Sequence, residues 1–318
     1  MSLVPVCPIC GCVGNFIEVK GRGQKEPKLL GDWERCASCD HLFNSKIGYS
    51  RGIASRYEGD YYQSTFAKSS KSTWRQIYPT VDLRQFESAK LADSGLRLSG
   101  ELIRAITLRR VAVVTPPGTR LLELGSATGE FARVLGRMNP HSTVIASDFS
   151  KSGVELTAAQ WTPAMRCDAV KLPIRDESID VVVMYHLIEH LFDPLSALTE
   201  AKRTLKEGGL VVGAVPSFQS LTGKFLGTSW DYVRDPTHLH LFSRQSLLEC
   251  ARRAGLTCNW LGQRQTGWNL LPSPRDPRVQ IRPCVRRLLV VPLYVIASFC
   301  TVMSCGDELD YILQRKES

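Results

Sequence analysis

The chain has 318 residues, 43% hydrophobic and 22% charged, which suits one full α/β domain with a small appendage and excludes a disordered polyelectrolyte. The net charge of +9 points to acidic partners (nucleic acid, anionic lipid or a phosphorylated substrate) without choosing among them. No run reaches 18 apolar residues, so an ordinary membrane-spanning helix is not expected.

Eleven cysteines are an odd number, and Cys7, Cys10, Cys12, Cys36 and Cys39 crowd the first forty positions. That clustering suits a metal site in a reducing compartment better than a disulfide framework. The opening MSLVPVCPIC has no basic segment followed by an apolar run, so a secretory leader is not expected and the reading is cytoplasmic. Cys7-Pro-Ile-Cys10-Gly11 and Cys36-Ala-Ser-Cys39-Asp40 form a CxxC…CxxC pair with 25 residues between the knuckles. Each knuckle turns two thiolates toward one point, and two knuckles complete a tetrahedral Zn²⁺ site of structural type, with Cys12 spare. A redox role for each CxxC is the main alternative.

Residues 1–45 therefore read as a zinc ribbon. Residues 46–117 read as a linker or cap. They hold Tyr57, Tyr61, Tyr62 and Trp74 and then a helical pattern from about Val81 through Leu83, Phe86, Leu91, Leu102, Ile103 and Ile106. From 118 to 318 strand-like and helical runs alternate, which predicts βαβ units and a parallel sheet. The predicted strands are Arg120–Leu124, Thr143–Ser147, Ala164–Cys167, Ile179–Tyr185 and Leu210–Val215, with Ile179–Tyr185 apolar enough to be central. Asp193-Pro194 predicts a helix start, with Leu195, Leu198 and Leu205 as its stripe and Gly208-Gly209 as its stop. Ser243 predicts another helix, ending at Gly255.

Leu121–Phe131 reads as a strand, a glycine turn and a helix. Gly125 and Gly129 let the backbone approach a ligand, and helix-start amides can hold a carboxylate. Glu123 can meet an ammonium. Asp148, at the tip of the second strand, can accept ribose hydroxyls, and Asp168 with the amide after it can pair with adenine. A bare turn, a helix N-cap and a surface turn are the plainer alternatives for these three features. A nicotinamide-dependent dehydrogenase would want a third glycine soon after Gly129, where Phe131 and Ala132 stand.

Taken together, these stretches resemble the class I S-adenosylmethionine (SAM)-dependent methyltransferases, in particular a bacterial methyltransferase-23-like branch that carries such a ribbon. The resemblance rests on Glu123–Gly129, Asp148, Asp168–Pro173, Asp180–His186, Glu189–Pro194, Leu205–Gly209 and Pro236–Phe242, and it spans roughly 119–260. Ala127 departs from the glycine found in many members. The resemblance implies an α/β, Rossmann-like seven-stranded sheet whose last strand is antiparallel, with Glu308–Gln314 as its candidate. It also implies SAM over the strand ends, touching Glu123, Gly125, Ser126, Ala127, Gly129, Asp148, Phe149, Asp168, Ala169 and Tyr185. The ribbon would cover the acceptor side.

Methyl transfer to a hydroxyl needs a base, and histidine is the usual one near neutral pH. His190 or His238 is the expected base, with His186 and His240 in support. Packing and loop-ordering roles are the alternative for all four, and a divalent metal on Glu189, His190 and a second acid is a lesser one.

Arg275, Arg278, Arg282, Arg286 and Arg287 precede the apolar stretch 288–303, inside a 266–303 insertion before the last strand. A buried helix is the first expectation there, and peripheral contact of 283–303 with anionic lipid is the second. The functional reading is SAM-dependent O-methylation of a small-molecule or glycan-type acceptor. RNA methylation through the ribbon and a non-catalytic zinc-bearing interaction protein are the alternatives.

Overall fold

The computed structural model describes residues 6–18, 33–44, 80–82, 112–160, 162–265, 270–271, 281, 296–297 and 299–316. Five expected strands are present as β6 (Arg120–Leu124), β7 (Thr143–Asp148), β8 (Ala164–Arg166), β9 (Ile179–Tyr185) and β10 (Leu205–Pro216). Before them lie the short β1 (Phe16–Glu18), β2 (Trp33–Cys36), β3 (Leu42–Asn44), β4 (Thr80–Asp82) and β5 (Ala112–Val114). After them come β11 (His240–Leu241), β12 (Leu256–Arg264) and β13 (Glu308–Arg315). The described α-helices are α1 (Glu130–Met138), α2 (Lys151–Ala158), α3 (Pro194–Thr204), α4 (Leu221–Leu226), α5 (Asp231–Arg234) and α6 (Arg244–Arg253).

The main sheet runs β12-β13-β10-β9-β6-β7-β8. β13 alone runs against its neighbours β10 and β12, so the reversed last strand implied by the resemblance is where it was expected. This is the α/β, Rossmann-like seven-stranded sheet that the resemblance implies. β9 is the middle strand, between β10 and β6, which is why nearly every residue in it is apolar. Its side chains alternate between two cores. Val182 and Met184 join Leu122, Leu124 and Val211 on one face, while Val181 and Val183 join Leu121, Phe131, Leu135 and Val212 on the other. Each such fully buried side chain contributes roughly 1.5–3 kcal/mol.

Local signals set the helix starts. Asp193 Oδ1 accepts from the Ser196 amide at 2.8 Å, with Pro194 in the first turn of α3. Ser243 and Ser246 form a capping box on α6. Two expectations need correcting. α3 ends at Thr204, and Gly208-Gly209 sits in an irregularity of β10, since the chain enters the sheet at Leu205. Val81 lies in β4, paired in parallel with β5, so the predicted helical pattern does not begin there. The rest of that pattern and the tyrosine-rich stretch lie outside the described residues.

A second sheet, β1-β2-β3-β11, is shared between two parts of the chain. β3 pairs antiparallel with β11, His240 opposite Phe43 and Leu241 opposite Leu42, so the cysteine-bearing ribbon takes its last strand from the large domain. Among the described residues no helix is long and apolar enough to cross a membrane. Most of 266–303 lies outside the described residues; where the chain is described again, Ala297 and Cys300 face inward while Ile296, Phe299, Val302 and Met303 are exposed.

Candidate active site and cysteine cluster

The C-terminal tips of the parallel strands line one edge of the sheet, the edge at which open α/β sheets bind ligands. At its β6–β7 end the site is made largely of main chain. Gly125 (φ 75°) and Gly129 (φ 73°) both need a left-handed backbone. A Cβ on Gly129 would stand 2.5 Å from Thr157 Cα, so glycine there lets α1 start hard against α2. The N-cap residue of α1 is Gly129, which has no side chain to cap that terminus, and this suits it to an anionic group. Ala127 also sits at positive φ (50°), which accounts for the preference for glycine at that position.

Asp148 is buried and pins this loop. Its Oδ2 accepts from the Ala127 amide at 2.8 Å and its Oδ1 from the Ser150 amide at 2.9 Å. Each carboxylate oxygen carries two lone pairs, so an amide and a hydroxyl can share one such oxygen. Gly153 completes the cradle, since a Cβ there would lie 2.7 Å from Asp148 Cγ. Ser126 Oγ instead turns to Thr157 Oγ1 at 2.9 Å, and the Tyr185 ring packs edge-on against Phe131 in the core. Glu123 is buried at the β6 tip, whereas Phe149 is exposed. Asp168 is exposed and its Oδ1 accepts from the Val170 amide at 3.1 Å, with Ala169 beside it in the turn.

At the β9–β10 end the four predicted histidines come together, but with different bonding. His186 follows β9 directly. Its Nδ1 donates to Glu189 Oε1 at 3.0 Å and its Nε2 to Glu308 Oε1 at 3.2 Å. Burial alone would lower its pKa, but Glu308 and Glu189 outweigh it and hold the ring as an imidazolium with a pKa of about 10. His186 is thus no base. His240 has both nitrogens engaged: Nε2 donates to Leu191 O at 2.9 Å, so Nδ1 must accept from His41 Nε2 at 3.0 Å. Burial holds both His41 and His240 neutral, His240 at about 4. His240 is therefore a bridge to the ribbon.

His190 Nδ1 donates to Thr237 O at 3.0 Å and His238 Nδ1 to Tyr232 O at 2.7 Å. Their rings lie 4.7 Å apart between centroids. Burial, then neighbouring His190, pushes His238 down to about 4. His190 remains half exposed.

Behind the histidines runs a buried ionic network of which the sequence shows little sign. Glu308 Oε1 accepts from Tyr232 Oη at 2.5 Å and its Oε2 from Arg264, which also donates to Asp310 at 3.0 Å. Burial alone would raise the Glu308 pKa, but Arg264 and His186 bring it down to about 2. β12 and β13 put Arg264 opposite Glu308, and Glu308 and Asp310 share a strand face. Two acids at alternate positions of an apolar strand were the available signal.

The knuckles are built alike. Gly11 N donates to Cys7 O and Asp40 N to Cys36 O, both at 2.9 Å, with Gly11 and Asp40 both left-handed. The Sγ atoms of Cys7, Cys10, Cys36 and Cys39 all lie within 4.8 Å of one another. Cys39 beside it brings the Cys7 thiol down to about 5, while burial raises Cys10 to about 11. A cation among four such sulfurs is what allows all of them to ionise, so the donor set fits Zn²⁺. Both knuckles dock on the large domain: Arg253 Nη1 donates to Ile9 O in the first, while Ser243 Oγ donates to Cys39 O at 3.5 Å and Gln245 Nε2 to Ser38 O at 3.0 Å in the second.

A family model described as a methyltransferase domain matches residues 83–259. The ubiquinone/menaquinone biosynthesis C-methyltransferase UbiE of Desulfotalea psychrophila is 35% identical over 107 residues, 32% of this chain and 44% of that protein. A malonyl-[acyl-carrier protein] O-methyltransferase of Methylococcus capsulatus is 28% identical over 198 residues, 60% of this chain and 69% of that protein. The solved structure of a SAM-dependent methyltransferase from Thermotoga maritima aligns at 21% identity and a TM-score of 0.44, over 63% of this chain and 84% of that one. The chain thus spans less than half the length of the first of these relatives.

Proposed function

Because the chain belongs to the methyltransferase-domain family, we propose that it is a SAM-dependent O-methyltransferase of a small-molecule or saccharide-type acceptor, with a structural zinc ion in its ribbon. The observation that carries the cofactor reading is the cradle at β6 and β7. Two left-handed glycines, a helix start with a glycine N-cap and a buried carboxylate held on two amides leave room where side chains would otherwise stand. Gly125 and Gly129 with the α1 terminus would hold the amino-acid end of SAM, Asp148 the ribose, and the Asp168–Ala169 turn the adenine. When bound, SAM supplies a sulfonium-activated methyl group, which leaves the protein to align the acceptor and help remove its proton.

The relatives named above include both a C- and an O-methyltransferase, and the histidines favour oxygen. With His186 held as an imidazolium and His240 tied to the ribbon, His190 and His238 are the imidazoles left to address a hydroxyl. The test is to incubate zinc-replete protein with methyl-labelled SAM and a panel of saccharides, phenols and hydroxy acids. The expected product carries a new methoxyl group, formed poorly by His190→Ala. Label found on carbon or nitrogen overturns the oxygen assignment.

Peripheral membrane contact is a further part of this reading. Ile296, Phe299, Val302 and Met303 are exposed, and Phe225 of α4 is 93% exposed, more apolar surface than a fully buried insertion would leave. Equal sedimentation with anionic liposomes after deletion of 283–303 removes the idea.

A further inference from the structure

Glu189, His190 and His238 each bring one ligand atom to a place where all three lie within 4.8 Å of one another. Each is prepared in the way that metal ligands are. His190 and His238 both spend Nδ1 on a backbone carbonyl, Thr237 O at 3.0 Å and Tyr232 O at 2.7 Å. In the neutral ring this puts the proton on Nδ1 and leaves Nε2 unprotonated, the second-shell pattern of metal-binding histidine. Glu189 has one oxygen oriented by His186 at 3.0 Å. Its other oxygen, Oε2, is buried on a wholly buried residue and has no hydrogen-bond partner among the described residues. Buried carboxylate oxygens are seldom left so, because the desolvation cost is large.

Sequence spacing hides the group. Glu189 and His190 are neighbours on the 3₁₀ turn Ile188–His190, and His238 arrives from 48 residues later, two residues before the strand β11 that pairs with the ribbon. Leu239 N donates to Glu189 O at 2.8 Å and fastens the two segments side by side. Two imidazoles and one carboxylate make a borderline donor set that suits Mn²⁺, Fe²⁺, Co²⁺ or Zn²⁺ and leaves coordination positions open. The cysteine cluster, with four sulfurs, leaves none.

We propose that Glu189, His190 and His238 hold a divalent cation at the acceptor end of the site, and that oxygens of the acceptor complete its coordination. An acceptor with two adjacent oxygens, a vicinal diol or a hydroxy-carbonyl group, fits the open positions best. A cation there would lower the pKa of a bound hydroxyl so that its proton passes to solvent water, and the oxygen would take the methyl group as the SAM sulfur departs as a thioether; the two histidines then act through the metal instead of as free bases. The acceptor class rests on the methyl-transfer reading above, whereas the cation site itself does not.

The test uses the full chain with its ribbon zinc in place, because Mn²⁺ competes poorly for thiolates. Electron paramagnetic resonance during a Mn²⁺ titration should show one bound ion per chain, at least tenfold weaker in Glu189→Gln and in His190→Gln. Zinc, iron or manganese found in the protein as purified beyond the first zinc equivalent, and lost in those variants, is the same result. His190 is half exposed, so His190→Gln keeps the test valid should Glu189→Gln fold poorly. No metal beyond the ribbon equivalent, by either measurement, overturns the proposal; so does Mn²⁺ binding that both variants retain. Calorimetry with SAM on the same samples separates the two ideas. A chain that binds Mn²⁺ but not SAM keeps the cation site and loses both the methyltransferase reading and the acceptor class.

Discussion

At the tips of β6 and β7 the site is made of main chain, glycines and one carboxylate held on amides, whereas at the tips of β9, β10 and β13 it is made of side chains brought from far apart. Ala127 and Asp148 are 21 residues apart, while His186 meets Glu308, and His41 meets His240 across 199 residues. The first kind of site is an outcome of local turn geometry. The second exists only once the sheet has formed and the ribbon has docked. Perturbations should therefore separate: damage to the network or the ribbon should fall on stability and the acceptor, and damage to the loop on the cofactor.

The largest effect should come from Arg264, which is buried between Glu308 and Asp310. Removing one partner of such a network strands buried charge, and Arg264→Ala should cost about 3–5 kcal/mol in chemical denaturation. The same network sets an acid limb. The Glu308 pKa is about 2 against an ordinary 4.5, so the stability it contributes is complete above about 4.5 and is lost as pH falls toward 2. Glu308→Gln should melt with a shallower slope across that window, and an unchanged slope would mean the carboxylate is not held as described.

On the cofactor side Gly153→Ala places a methyl group against the Asp148 carboxylate. Affinity for SAM should drop roughly tenfold, about 1.4 kcal/mol, with the acceptor side unaffected. Removing the ribbon zinc should do the reverse. Acceptor affinity should fall more than SAM affinity, because His41, His240 and Leu191 form a continuous path from the second knuckle to the histidine turn. Equal losses after chelation would break the comparison. The smallest effect belongs to Ala127→Gly, which relieves a left-handed alanine and should change stability by no more than about 1 kcal/mol while leaving the acceptor side untouched.

The same division governs what could be read from the amino acids. β6 through β10, the caps at Asp193 and Ser243 and the two CxxC knuckles were legible, because each is announced by an apolar pattern, a cap or a short spacing, whereas the reversed β13 followed only from the family resemblance. Gly208-Gly209 misled, because glycine after an apolar stripe looks like a helix stop whether or not a strand has already begun. The four histidines could be picked out as a group but not sorted. Their roles follow from Glu308, Thr237, Tyr232 and His41, none of which lies within a helical turn of all four, and the docking that brings His41 to His240 leaves no periodic trace.

The most direct test of the account is calorimetry of S-adenosylhomocysteine with the zinc-replete chain and with Asp148→Ala. One site per wild-type chain is predicted, weakened by about 1.5–3 kcal/mol, roughly ten- to hundredfold, in the variant. No heat from the wild-type chain, or equal affinity in the two proteins, would contradict it.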